Sequence, residues 1–148
     1  MGSHYKGSKK EVRSLNTYIK LIRAADSLSS KINTHLSKNK LTESQFNVLD
    51  ALYHLGPLSQ KELSNKLLKS GGNITMVIDN LERRKLAKRE RGKKDRRLFI
   101  VNLTSNGKTI FENILPEQVS RIKDEVNILS KGEQNELQRL CKKIGTEQ

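Results

Sequence analysis

The 148-residue chain contains no tryptophan, one cysteine, two prolines and only 4% aromatic residues. A core without large aromatics must be built from aliphatic side chains, which points to packed helices. The single cysteine, Cys141, excludes an internal disulfide and fits a reducing cytoplasm. No apolar run approaches the ~18 residues that a membrane span needs. The N-terminus, MGSHYKGSKK, lacks the apolar stretch of a signal peptide, and its first four residues have the form of a cloning remnant. Residues 1–10 are therefore expected to be a remnant and a disordered leader. Acidic residues are also scarce: 16 Asp and Glu face 29 Lys and Arg, leaving a net charge of +13. Chains this basic meet a polyanion, either nucleic acid or an anionic membrane surface.

What is present is unevenly placed. Met1 to Lys40 holds nine basic and two acidic residues, and Leu41 to Glu82 holds three and five. Arg83 to Arg97 alone carries ten basic and two acidic residues. Its far end, 92-GKKDRRLFIVNLT-104, crowds four cations around Asp95 and then runs into an apolar strand. Like charges in a tight loop repel, so the loop costs folding energy unless something anionic sits against it. A merely solvated turn is the alternative.

Periodicity supplies the elements. Val12, Leu15, Ile19, Ile22, Leu28, Ile32 and Leu36 recur at steps of three and four, predicting a long amphipathic helix. The patterns 42-TESQ-45, 59-SQKE-62 and 130-SKGE-133 have the form of capping boxes. The first opens a helix with Phe46, Leu49, Leu52 and Tyr53 on one side, broken at Gly56 and Pro57. The second opens a short helix with Leu63 and Leu67 inward. After 70-SGGN-73 comes another helix, with Ile74, Val77, Ile78 and Leu81 on one face. Two short helices joined by a glycine-containing turn form the sequence shape of a helix-turn-helix. The strands 86-LAKRER-91 and 98-LFIVNL-103 follow, with Phe99, Val101 and Leu103 expected on the buried face. Together these predict a winged helix. The last third is helical, with a stripe of Ile110, Ile114, Val119, Ile122 and Val126 interrupted by Pro116. A final helix bears Leu137, Leu140 and Ile144.

The helix after 70-SGGN-73 displays Gly72, Thr75, Met76, Asp79, Asn80 and Arg83 opposite its apolar face. That mixture of small, hydroxyl, amide and guanidinium groups suits the base edges of a major groove. Ser70 and Asn73 belong with them at the start of the helix. An outward helix directly before a cationic hairpin can enter a groove while the hairpin meets the flanking backbone. Arg83, Arg84, Lys85, Lys88, Arg89 and Arg91 read as phosphate contacts, as do Ser59 and Gln60 at the start of the preceding helix. Each cation so used steepens the salt dependence of binding by about one unit.

The run 73-NITMVIDNLERRKLAKRERGKKDRRLFIVNLT-104 resembles the MarR family of bacterial transcriptional regulators. The family's wing signature, Asp-x-Arg-x-x-x-Val-x-Leu-Thr, is matched by Asp95, Arg97, Val101, Leu103 and Thr104 with its spacing intact. The likeness extends from about Val12 to Gly145; Lys85 stands where many relatives have glycine. The resemblance implies a mainly α protein with a small β-hairpin wing. One MarR-type domain would span 11–145, with dimerisation helices at 11–38 and 105–145 around a winged helix-turn-helix at 41–104. It implies that Arg97 enters the minor groove, oriented by Asp95, beside Lys93, Lys94 and Arg96 at the wing tip. A narrow A·T-rich groove draws in arginine, and a carboxylate that holds the guanidinium in one orientation accounts for an aspartate among cations.

The long apolar stripes of the outer helices need a partner surface, and a second copy related by two-fold symmetry supplies one. The resemblance thus implies a homodimer on double-stranded, pseudo-palindromic DNA, most simply a repressor. It also implies a small aromatic or phenolic effector, for which Tyr18, Ile22, Arg23, His54 and Phe111 are the candidate contacts. Oxidation of Cys141 is the other candidate control, although a cysteine beside an apolar face usually serves as a small hydrophobe. No enzyme, metal site or cofactor is expected. His4, His35 and His54 have no ligand-spaced partners, and 71-GG-72 is too short for a phosphate loop. The alternative from another class is an architectural nucleic-acid-binding protein that uses charge alone.

Overall fold

The computed structural model describes residues 2–67 and 71–145. The chain forms two compact units, one comprising the residues up to Thr34 and from Gln118 onward, the other His35–Glu117. In chain order the elements are α1 (Lys9–Asn33), a 3-10 turn (Thr34–Asn39), α2 (Glu43–Leu55), β1 (Leu58–Ser59) and α3 (Gln60–Leu67). Then follow α4 (Gly71–Arg83), β2 (Ala87–Arg91), β3 (Phe99–Leu103), α5 (Ser105–Val126) and α6 (Lys131–Ile144).

The unit His35–Glu117 is built by reciprocal caps and one aliphatic core. Thr42 and Gln45 satisfy each other's backbone N–H groups at the start of α2, and Ser59 and Glu62 do the same for α3. The bond from the Ser59 N–H is the first cause of a carboxyl pKa below the ordinary value at Glu62, so that cap stays ionised at neutral pH. Gly56 ends α2 at φ +78°, a conformation that side-chain-bearing residues rarely adopt, and its N–H donates to the Leu52 carbonyl. Leu49, Leu52, Leu63, Ile74, Ile78, Leu81 and Val101 are buried together. Phe46 and Phe111 stack at a centroid distance of 5.2 Å at one side of that core.

The sheet contains one strand more than the sequence predicts. β1 pairs antiparallel with β3, Leu58 opposite Val101, so the order is β1-β3-β2. A two-residue strand has no alternation to read, and Pro57 beside it reads only as a helix stop. Inward alternation holds for Val101, which is fully buried, whereas Phe99 is 39% exposed. Phe99 lies where the hairpin leaves the core, and the guanidinium of Arg91 covers its ring at 4.4 Å. α4 begins at Gly71, so both glycines of 70-SGGN-73 lie in its first turn; Ser70 lies outside the described residues.

In the other unit, α1 starts at Lys9, earlier than expected, because Ser8 and Glu11 form a further capping box. The Ser3 N–H donates to Asn16 at 2.6 Å, so the leader also makes a contact. The predicted first helix stops as an α-helix at Asn33, and Leu36 is carried inward by the 3-10 turn instead. A polar ladder joins the end of α1 to the end of α5. In it Gln118 donates to Asn33 at 2.9 Å, Arg121 to Thr34 at 3.0 Å, and Lys31 pairs with Glu125 at 3.4 Å. Neither α1 nor α6 contains a buried residue. Among the described residues no helix is long and apolar enough to cross a membrane.

Candidate nucleic-acid interface

α4 is anchored by Ile74, Ile78 and Leu81, all buried, which fixes the helix about its axis and determines what its other side shows. On that side Asn73, Met76 and Arg83 are exposed, while Thr75, Asp79 and Asn80 are half-buried. Gly72 lies in the first turn. Met76 is an apolar side chain with 65% of its surface open. The polar residues are already organised: Arg83 donates to Asn80 at 3.0 Å, and Thr75 accepts from the Gln60 amide at 2.6 Å.

The turn from α4 into the hairpin is a Schellman motif, with Lys85 N–H bonded to Glu82 and Leu86 N–H to Leu81, both at 2.9 Å. It places Lys85 at φ +59°, a backbone conformation that glycine adopts at no steric cost. Thr104 closes the hairpin's far end: its hydroxyl donates to the Lys85 carbonyl at 2.7 Å and accepts from the Gly107 N–H at 3.0 Å. The Thr of the wing signature thus fastens both ends of the hairpin.

At the tip, the Gly92 N–H donates to the Leu98 carbonyl at 2.9 Å and the Leu98 N–H to the Asp95 carbonyl at 3.2 Å. Asp95 grips Arg97 in the bidentate manner, receiving Nε on one oxygen and Nη2 on the other at 3.0 Å, plus the Arg97 backbone N–H. These bonds hold the Asp95 carboxyl pKa below the usual carboxylate value and raise that of Arg97. The Arg97 side chain is nevertheless 90% exposed, so its orientation is set while its outer surface stays open. Lys93, Lys94 and Arg96 are exposed beside it. Arg91 donates to the Arg96 carbonyl at 2.9 Å.

The remaining cations of the run divide by what they touch. Arg84 donates to the carbonyls of Lys40 at 2.6 Å and Asn39 at 3.0 Å, tying α4 to the turn before α2. Arg89 bonds to Asp79 and Glu82. Lys88 pairs with Glu90 at 2.9 Å, which lowers the Glu90 carboxyl pKa and raises that of Lys88. Internal acceptors therefore offset much of the repulsion that the crowded sequence predicts. Lys85 and Arg83 are exposed at the end of α4.

A notch between α3 and the wing is lined by Ser59, Gln60, Lys61, Ser64, Asn65 and Arg97, with Ile74, Leu98 and Phe99 as its apolar wall. Sequence reasoning finds Ser59 and Gln60 but not Lys61, Ser64 or Asn65. Their signal was the helical spacing of 61, 64 and 65, which places all three on one side of α3.

The residues considered for effector binding fall in both units. Tyr18, Ile22 and Arg23 are exposed on α1. Phe111 is wholly buried against Phe46 and Tyr53, and His54 meets its ring edge-on at 5.9 Å. His54 Nδ1 lies 3.0 Å from Asp50. Tyr53 donates to Glu112 at 3.0 Å, which raises the phenol pKa. Cys141 is exposed on α6.

The chain is similar to known proteins. Residues 39–98 match the model of the MarR family. Over 133 residues the chain is 32% identical to the HTH-type transcriptional regulator MhqR of Bacillus subtilis, spanning 90% of this chain and 92% of that protein. It is similar in structure to Bordetella bronchiseptica BpsR, whose DNA binding is regulated by 6-hydroxynicotinic acid. That likeness has 26% identity and a TM-score of 0.79, over 86% of this chain and 97% of that one. The DNA complex of S. aureus MepR is similar at 25% identity and a TM-score of 0.77, over 86% and 95%.

Proposed function

The chain belongs to the MarR family of DNA-binding transcriptional regulators, and we propose that it acts in the cytoplasm as a homodimeric repressor of a pseudo-palindromic operator. The observation that carries this reading is the wing tip, where Asp95 fixes the direction of an Arg97 side chain that stays 90% exposed. A cation serving only as a phosphate counter-charge gains nothing from such a grip, whereas one that enters a narrow minor groove does. α4 reads the adjacent major groove through Asn73, Met76, Asn80 and Arg83, with Gly72, Thr75 and Asp79 beside them. Lys93, Lys94, Arg96, Arg91, Lys88 and Lys85 meet the flanking phosphates, as do Ser59 and Gln60.

The regulator is released by a small aromatic compound or by oxidation of Cys141. Regulation of BpsR by 6-hydroxynicotinic acid supports the first route. Tyr18, Ile22 and Arg23 on α1 and, separately, His54 and Phe111 in the other unit are the residues to test.

Selection of bound DNA from a random pool at about 150 mM salt, with the mass of the complex measured in parallel, tests the reading. The expected result is an enriched near-palindrome with half-sites about one helical turn apart, bound by a dimer. Tight binding without enrichment would instead identify an architectural protein. On the enriched site, Arg97→Ala is expected to cost about 1–3 kcal/mol, while Asn80→Ala changes which bases are preferred.

A further inference from the structure

Arg89 belongs to the basic run, yet its surroundings set it apart from the other wing cations. Its side chain is 21% exposed, against 90% for Arg97. Nη2 bonds to Asp79 Oδ1 and lies 3.3 Å from Glu82 Oε1, while Nη1 donates to Gln60 Oε1 at 3.5 Å. Its backbone N–H donates to the second oxygen of Glu82 at 2.9 Å. Gln60 in turn donates to Thr75 at 2.6 Å. One residue of β2 therefore gathers two carboxylates of α4 and, through Gln60, the start of α3. Asp79 and Thr75 lie on the side of α4 that faces the groove, where a bare carboxylate would be repelled by phosphates. A guanidinium shared between two carboxylates has little charge left for DNA, and its planar fork suits the spanning of several fixed acceptors.

We propose that Arg89 is a positioning residue, which sets the base-reading side of α4 against α3 and the wing and does not itself contact phosphate. The proposal rests on the DNA-reading role given above. It separates two properties that a phosphate contact would link. Loss of a phosphate contact lowers the salt slope of binding by about one and weakens all sequences alike. Loss of the clamp leaves the slope intact and erodes the preference for one sequence over another.

The test measures affinity over a salt series, for DNA enriched by the wild-type protein and for random-sequence DNA. Arg89→Lys keeps the charge but cannot span Asp79, Glu82 and Gln60 together. It is expected to lower the ratio of specific to non-specific affinity by about tenfold or more, with an unchanged salt slope. Retained binding to random DNA with the wild-type slope shows that the variant is folded. Asp79→Asn, close in shape to the original, is expected to lower the ratio in the same way, and the double variant to be no worse than either single one. If Arg89→Lys binds like wild type, or if Asp79→Asn tightens specific binding as removal of a repelled charge would, the clamp is overturned. A wild-type protein with no preference between the two DNAs would instead overturn the sequence-reading role on which the clamp depends.

Discussion

Lys85 holds φ +59° between α4 and the hairpin, and a left-handed backbone strains any residue with a Cβ by roughly 1–2 kcal/mol. Lys85→Gly is therefore expected to stabilise the fold by about 1 kcal/mol, visible as a higher urea midpoint at unchanged slope. An unchanged or lower midpoint would show that the Schellman turn is not what sets this backbone. At the wing tip the single-residue question is electrostatic. Hydrogen bonds from the Arg97 side chain and backbone depress the carboxyl pKa of Asp95. A folded-state value below the unfolded one of about 4 means the pair contributes above that unfolded value. Its contribution is lost as pH falls through the lower, folded value. The wing is thus set throughout the neutral range and loosens only in acid. Carboxyl NMR should find Asp95 titrating below an ordinary aspartate, and moving back up in Arg97→Ala. A midpoint that Arg97→Ala leaves in place would mean the pair is not formed in solution.

At the scale of elements, Gly107 shows how tightly the start of α5 is pressed onto the hairpin. A Cβ at that position would stand 2.0 Å from the Leu86 carbonyl oxygen, a backbone atom that cannot swing aside. Gly107→Ala should cost more than about 2 kcal/mol, with the loss seen in both thermal and urea unfolding. A variant as stable as wild type would mean that the approach of α5 is looser than the geometry implies. Met76 offers the opposite experiment, because little packs on it. An exposed apolar side chain on the helix proposed to face the groove would match the thymine methyl group. Replacing thymine by uracil at one half-site position should weaken binding about fivefold for wild type and leave Met76→Ala indifferent. No position showing that dependence would leave Met76 without a base-reading part.

These elements also show where sequence is legible. Helix starts are legible because a capping box is a local pattern, as at Thr42, Ser59 and Ser130; 8-SKKE-11 carries the same pattern ahead of the apolar periodicity that predicts α1. Asp95 and Arg97 were readable because their spacing is fixed by one tight loop. β1 was not, since two residues carry no period. The partners of Arg84 and Arg89 were not either, because they are brought together only by the fold, from Asn39 and Lys40 in one case and from α3 and α4 in the other. A run of like charges cannot announce which members are neutralised internally.

At the scale of the whole molecule, the outer helices leave apolar side chains partly open to solvent. α1 and α6 bury no residue, and Leu15, Ile22, Ile122, Leu137, Leu140 and Ile144 are all at least 36% exposed. Apolar stripes at helical spacing have little reason to stay in water, and most helical stability in proteins comes from packing such a face. The second copy proposed above would meet that need and would place two winged units on one DNA. Leu137→Asp with Leu140→Asp puts two charges into the proposed seam, and neither residue belongs to the buried core cluster. The variant is expected to sediment as a monomer, with less helical signal from the outer helices. It should keep binding a single half-site while losing about 10²–10⁴-fold in affinity for the full palindrome, because the second wing is no longer tethered to the first. A salt slope cut to roughly half would confirm that one winged unit has been removed from the contact. A variant that still sediments as a dimer would move the interface away from α6. A monomer with undiminished affinity for the full site would mean that one copy reads the whole operator.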